Sequence, residues 1–127
     1  MQNHDWSDKV ILIAEDEKIN FLFLKAVFAK TGATVLWAKD GKETLDICLD
    51  NKQQVDIILM DLQMPHIGGL EATRTIKKSC PSICVIVQTA HSFDEDREKA
   101  LEAGCDDFLA KPIRPLNLLA TVEKFIS

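Results

Sequence analysis

The chain has 127 residues, a length that suits one domain able to bury a single core without staples. Hydrophobic residues make up 46% and charged residues 28%, which excludes a disordered or fibrous chain. The net charge is −5 and the 15 Lys and Arg are interspersed with acids, so there is no basic run to neutralise phosphates and direct nucleic-acid binding is disfavoured.

No apolar stretch reaches the roughly 18 residues that span a bilayer, and "MQNHDWSD" (1–8) has neither the basic start nor the apolar run of a secretory signal. A cytoplasmic protein without membrane contact is expected. Residues 1–8 read as an N-terminal tail or linker remnant and 9–127 as the folded domain. Cys48, Cys80, Cys84 and Cys105 are scattered, with no CxxC pair and no Cys/His zinc spacing, and read as packing residues.

In chain order, "KVILIAE" (9–15) is a strand rich in β-branched and aliphatic residues. "EKINFLFLKAVFAKTG" (17–32) places Ile19, Phe23, Leu24, Val27 and Phe28 at helical spacing and stops on Gly32. "ATVLWA" (33–38) is a second strand, and "GKETLDICLDN" (41–51) a short helix gathering Leu45, Ile47, Cys48 and Leu49. "VDIILM" (55–60) is the third strand, followed by a loop and a helix from about Leu70 through Lys78. "SICVIVQT" (82–89) is the fourth. "FDEDREKALEAG" (93–104) is a helix with acids in its first turn and Gly104 at its end. "DDFLAK" (106–111) is the fifth strand, and "PLNLLATVEKFI" (115–126) a closing helix with Pro115 in its first turn. Five strands alternating with five helices predict a parallel α/β sheet covered on both faces.

In such a sheet, ligands bind beyond the carboxyl ends of the strands. There the sequence offers Glu15, Asp16 and Glu17, then Asp61, then Thr89, Ala90 and His91, and finally Lys111-Pro112. Carboxylates gathered a few ångströms apart repel, and a divalent cation, magnesium in the first instance, is the simplest compensation. A carboxylate on a rigid strand end beside a cation and a lysine can attack a phosphoryl group, with the Thr89 hydroxyl donating to a phosphoryl oxygen. Taken singly, each acid is as well explained as a helix N-cap and Lys111 as a solvated side chain. Joint occurrence at four strand ends shifts the balance. His91 alone reads as uninvolved, and His4 and His66 have no partner pattern.

The motifs "AEDE", "ILMDLQMP", "VIVQTAH" and "FLAKPI", separated by 45 (16 to 61), 28 (61 to 89) and 22 (89 to 111) residues, make the chain resemble a response-regulator receiver domain of two-component signalling, from about Lys9 to Ile126. The resemblance implies a flavodoxin-like sheet of order 2-1-3-4-5 with five helices, the order of the family's chemotaxis member. It implies that Asp61 is the phosphoacceptor, taking its phosphoryl group from the phosphohistidine of a sensor histidine kinase or phosphotransfer domain. Magnesium or manganese would be held by Glu15, Asp16, Asp61 and the backbone carbonyl of Gln63. Thr89 and Lys111 would contact the phosphoryl oxygens, Thr89 and Phe108 would form the switch, and Gln63 and His91 would tune its lifetime. The Lys111-Pro112 peptide would be cis.

Such a domain catalyses its own phosphorylation and dephosphorylation without being a free-standing multi-turnover enzyme. Its altered surface, around the fourth helix, fifth strand and fifth helix, would bind a downstream effector or a second copy. "QMPHIGGLEATRTIK" is further similar to receivers of hybrid sensor histidine kinases, except that Gly68 stands where an Asp is common. The alternative is a receiver-like interaction module that works without phosphorylation. A flavin-binding protein would need a phosphate loop where "AEDEKIN" stands, and a dehalogenase-type phosphatase a second acid where Gln63 stands.

Overall fold

The computed structural model describes residues 4–50, 54–64, 66–90 and 94–126. In chain order the elements are β1 Val10–Ala14, α1 Lys18–Phe28, a 3-10 turn Ala29–Thr31, β2 Thr34–Ala38, α2 Gly41–Leu49, β3 Ile57–Asp61, α3 Gly69–Ser79, β4 Cys84–Thr89, α4 Asp94–Glu102, β5 Asp107–Ala110 and α5 Pro115–Ile126. The strands form one sheet in the order β2-β1-β3-β4-β5, every pair parallel. This is the flavodoxin-like order 2-1-3-4-5.

Helices cover both faces, and that explains why the central strands are apolar without alternation. Every residue of β3 is buried. Alternate side chains enter two cores. Leu12, Ala14, Ile58, Met60, Val85 and Val87 pack with Ala72 and Ile76 of α3 and Ala100 of α4. Ile11, Ile13, Ile57, Leu59 and Ile86 pack with Phe21, Leu24 and Phe28 of α1 and Leu118 and Val122 of α5.

α1 sits differently from its sequence reading. Its buried residues are Phe21, Leu24 and Phe28, while Ile19 is 80% exposed and Phe23 46%. The segment carries apolar residues around most of its circumference, so helical spacing alone admits two stripes, and packing against β1 and α5 selects the second. In α2, Gly41, Thr44 and Cys48 are buried, whereas Leu49 faces solvent.

α3 begins without a side-chain cap, because its N-cap is Gly68. Gly69 has a steric reason: a Cβ there would collide with the Asp61 carbonyl oxygen. Gly41 likewise lies under the Ile67 carbonyl. The loop after β3 is thereby clamped between α2 and the sheet edge. All four cysteines are free thiols. Burial pushes Cys48 and Cys84 up to about 12 and Cys105 to about 11, keeping these thiols protonated and unreactive. Among the described residues no helix is long and apolar enough to cross a membrane.

Residues 4–8, from the stretch read as a tail, run across the end of α1. Trp6 is 3% exposed, packs in the α1/α5 core and has its ring centroid 6.3 Å from that of Phe28. Its backbone N–H donates to the Thr31 carbonyl at 2.8 Å. Trp6→Ala is expected to cost about 3 to 5 kcal/mol of unfolding free energy, the range for truncating a buried aromatic. Urea denaturation checks this, and a loss within experimental error of zero would show that the segment only rests on the surface.

Candidate functional site

Four of the five strands, β1, β3, β4 and β5, bring the site to the carboxyl edge of the sheet. Glu15 follows β1 directly and Asp61 closes β3. Since β1 pairs with β3 in register from Ile11 opposite Ile57 onward, side-chain parity turns Glu15 and Asp61 toward the α1/α5 face of the sheet. Carboxylate oxygens of Glu15, Asp16 and Asp61 all lie within 4.8 Å of one another. Glu15 and Asp61 are buried, at 1% and 5% exposed, and Asp16 is exposed.

Asp61 is held from two sides. The Lys111 ammonium lies 3.2 Å from Oδ2, and the Gln63 backbone N–H donates to Oδ1 at 3.1 Å. The second bond is local and fixes the turn leaving β3. Lys111 follows β5, and its own N–H donates to the Thr89 carbonyl at 2.8 Å. The Lys111-Pro112 peptide is cis. Thr89 ends β4 one residue beyond Gln88, the register partner of Asp61, and is buried.

Glu15 occupies the least favourable place. Its Oε1 accepts from the Glu17 backbone N–H at 3.3 Å and the Asn20 amide at 3.4 Å, but its Oε2 is buried without a partner. Desolvation, reinforced by the Asp61 charge, raises its pKa from 4.5 to about 7, against the opposing pull of the Glu17 N–H, Lys111 and Asn20. An orphaned buried oxygen inside an all-oxygen donor set is what a hard divalent cation would satisfy. Its supports are stiff, because the Trp37 indole N–H donates to the Glu15 carbonyl at 2.7 Å and its ring stacks on Phe21 at 4.4 Å.

Phe108 is half-buried on β5 opposite Val87, with the Arg97 guanidinium of α4 4.5 Å from its ring centroid. Gln63 is exposed beside Asp61. His91 lies outside the described residues. The structure thus brings Glu15, Asp16, Asp61 and Lys111 together, with Gln63 and Thr89 adjacent and Phe108 along β5. Sequence reading missed Asn20, Trp37, Arg97 and Gln88. Of these only Gln88 carried a signal, as the one amide within the apolar run of β4.

Residues 11–123 match the response regulator receiver domain family. The chain is 42% identical over 112 residues to hybrid signal transduction histidine kinase I of Dictyostelium discoideum, covering 83% of this chain and 6% of that protein. It is similar, at 32% identity and TM-score 0.83, to the receiver domain of a Pseudomonas aeruginosa sensor histidine kinase solved with magnesium in its active-site cleft, covering 93% and 97% of the two chains. At 28% identity and TM-score 0.85 it is also similar to a Saccharomyces cerevisiae response-regulator receiver domain solved with a histidine phosphotransfer protein, covering 93% and 88%.

The Glu15 shift sets a pH dependence. The folded state holds this proton more tightly than the unfolded chain, so the group's contribution is fully present below about 4.5 and is lost as pH rises through about 7. In metal-free buffer, the unfolding free energy of the chain should fall across that window more steeply than that of Glu15→Gln. Parallel pH profiles for the two proteins would contradict the assignment.

Proposed function

Because this chain belongs to the response regulator receiver domain family, we propose that it is the phosphoacceptor of a two-component phosphorelay, with Asp61 as the acceptor. The single observation that carries the reading is Asp61 itself, buried at a rigid strand end, paired with Lys111 at 3.2 Å and inside an oxygen cluster suited to a cation.

In this reading an Asp61 oxygen attacks the phosphorus of a phosphohistidine, the P–N bond breaks, and its electron pair leaves with the imidazole. Lys111 offsets negative charge on the acceptor and then on the phosphoryl oxygens. Asp16, Asp61 and the Gln63 carbonyl would hold magnesium or manganese, with Glu15 supporting from beneath; the ion would supply charge neutralisation between carboxylate and phosphoryl oxygens. The Thr89 hydroxyl would donate to the new phosphoryl group. Phe108 would turn as Thr89 moves, releasing its contact with Arg97 and altering the surface of α4, β5 and α5 read by an effector or second copy. Gln63 and His91 would set the access of hydrolytic water.

A histidine kinase or phosphotransfer domain is the proposed donor, supported by the phosphotransfer complex of the yeast neighbour. Magnesium is supported by the Pseudomonas neighbour. A place in a hybrid kinase is supported by the Dictyostelium relative, of which this chain spans 6%. A cytoplasmic location fits a donor of that kind. We also place the start of the folded unit at or before Trp6, on the burial of that residue.

Intact-mass measurement after incubation with acetyl phosphate and magnesium should show one added phosphoryl group, absent from Asp61→Asn and from chelated samples. Equal labelling of wild type and Asp61→Asn would remove Asp61 from its role. No labelling of wild type, nor response to beryllofluoride, would instead favour the interaction module that works without phosphorylation. Arg97→Ala should shift the equilibrium of Phe108 without changing the labelled fraction, read from the Phe108 ring resonances before and after beryllofluoride. Unchanged resonances would separate Arg97 from the switch.

A further inference from the structure

The pairing of β1 ends at Ala14, which stands opposite Ala38 of β2 on one side and Met60 of β3 on the other. Glu15 and Asp16 lie beyond that ladder, so their backbone must be fixed by other bonds. Both polar groups of the Glu15 backbone are taken by β2. Its N–H donates to the Ala38 carbonyl at 3.0 Å, and its carbonyl accepts from the Trp37 indole N–H at 2.7 Å, the short end of the range for such a bond. Nearby, Glu15 Oε2 and Gln88 Nε2 are buried without partners. The indole donor therefore goes to the Glu15 backbone although an oxygen of the same residue's side chain is unmet. Its direction is set from both neighbours: Trp37 is opposite Ile13 in register, and the Phe21 ring of α1 stacks on it with the two planes 5° from parallel.

The Glu15 carbonyl belongs to the planar peptide unit that also contains the Asp16 Cα. A bond that fixes the carbonyl direction thus fixes where Asp16 leaves the strand. Asp16 is exposed, so packing does little to aim its carboxylate. We propose that Trp37 is a positioning residue of the cation site, holding the Glu15–Asp16 peptide so that the Asp16 carboxylate stays in the cluster with Glu15 and Asp61, within 4.8 Å. Repulsion among the three acids favours rotation of that peptide and escape of Asp16 into water, and the indole bond opposes it. A donor set already gathered binds an ion more tightly, because ordering does not have to accompany binding. The proposal rests on the reading of this cluster as the cation site of the phosphoacceptor.

Trp37→Phe keeps an aromatic ring beside Phe21 and deletes the donor. Calorimetric titration with magnesium chloride at constant ionic strength should give a Kd about five- to tenfold weaker than wild type, the effect of leaving one partly buried carbonyl unmatched. The Asp16 backbone amide, which shares the affected peptide, should shift in the metal-free variant. A role in packing alone predicts instead a lower melting temperature with magnesium affinity unchanged. If the variant does not fold, the wild-type Trp37 indole N–H resonance, assigned through its contacts with the Phe21 ring, serves in its place and should move saturably with magnesium at the calorimetric Kd. Equal affinity in wild type and Trp37→Phe, or an indole resonance that ignores magnesium, overturns the proposal and leaves the phosphoacceptor reading standing. Wild type that binds no magnesium overturns the cation site as well.

Discussion

The structure turns on three carboxylates, from Glu15, Asp16 and Asp61, held within 4.8 Å of one another at the edge of a buried sheet. At an effective dielectric constant of about 20, two full charges at such a distance repel by roughly 3 to 4 kcal/mol. The fold tolerates this through local compensations. Lys111 pairs with Asp61, Glu15 holds its proton until near neutral pH, and Asp16 stays in water. One orphaned oxygen is left over, at Glu15. A site so arranged is poised for a cation, and the sheet around it is too well packed to relax the crowding by spreading its strands.

The same packing determines how a charge change at Asp61 can be felt elsewhere. Asp61 is bonded to the Lys111 side chain, and the Lys111 backbone is bonded to Thr89. Phe108 lies three residues back along β5 and touches Arg97 on α4. That is a short path of direct contacts from the acid cluster to an outer helix, crossing only β4 and β5. β1, β3 and β4 are each paired on both sides, whereas β5, paired with β4 alone, is an edge strand.

Strands were legible from sequence because burial on both faces writes a continuous apolar run, as in "DIILMD", and the acid at its end stands out against it. The site residues were legible for the same reason, each following a run that the sheet brings to one edge. Helix orientation was less legible. α1 has apolar residues on nearly every side, so Ile19 and Phe23 looked as suitable for the core as Phe21, and only the tertiary partner chooses. Trp6 was hidden by its polar neighbours, since a single buried aromatic has no period to detect. Gln88 was visible as a letter but not as a problem, because its missing partner exists only in three dimensions. Gly68 and Gly69 also separate in the structure: the first merely leaves a helix uncapped, while the second permits backbone to pass over Asp61.

One divalent cation should relieve the crowding of the three acids, and on this the rest depends. Calorimetric titration of magnesium into the wild-type chain at neutral pH and constant ionic strength tests it directly. The expected result is one ion per chain, with binding abolished or greatly weakened in Asp16→Asn. Heat no different from that of an ionic-strength control, or equal affinity in wild type and Asp16→Asn, would contradict it.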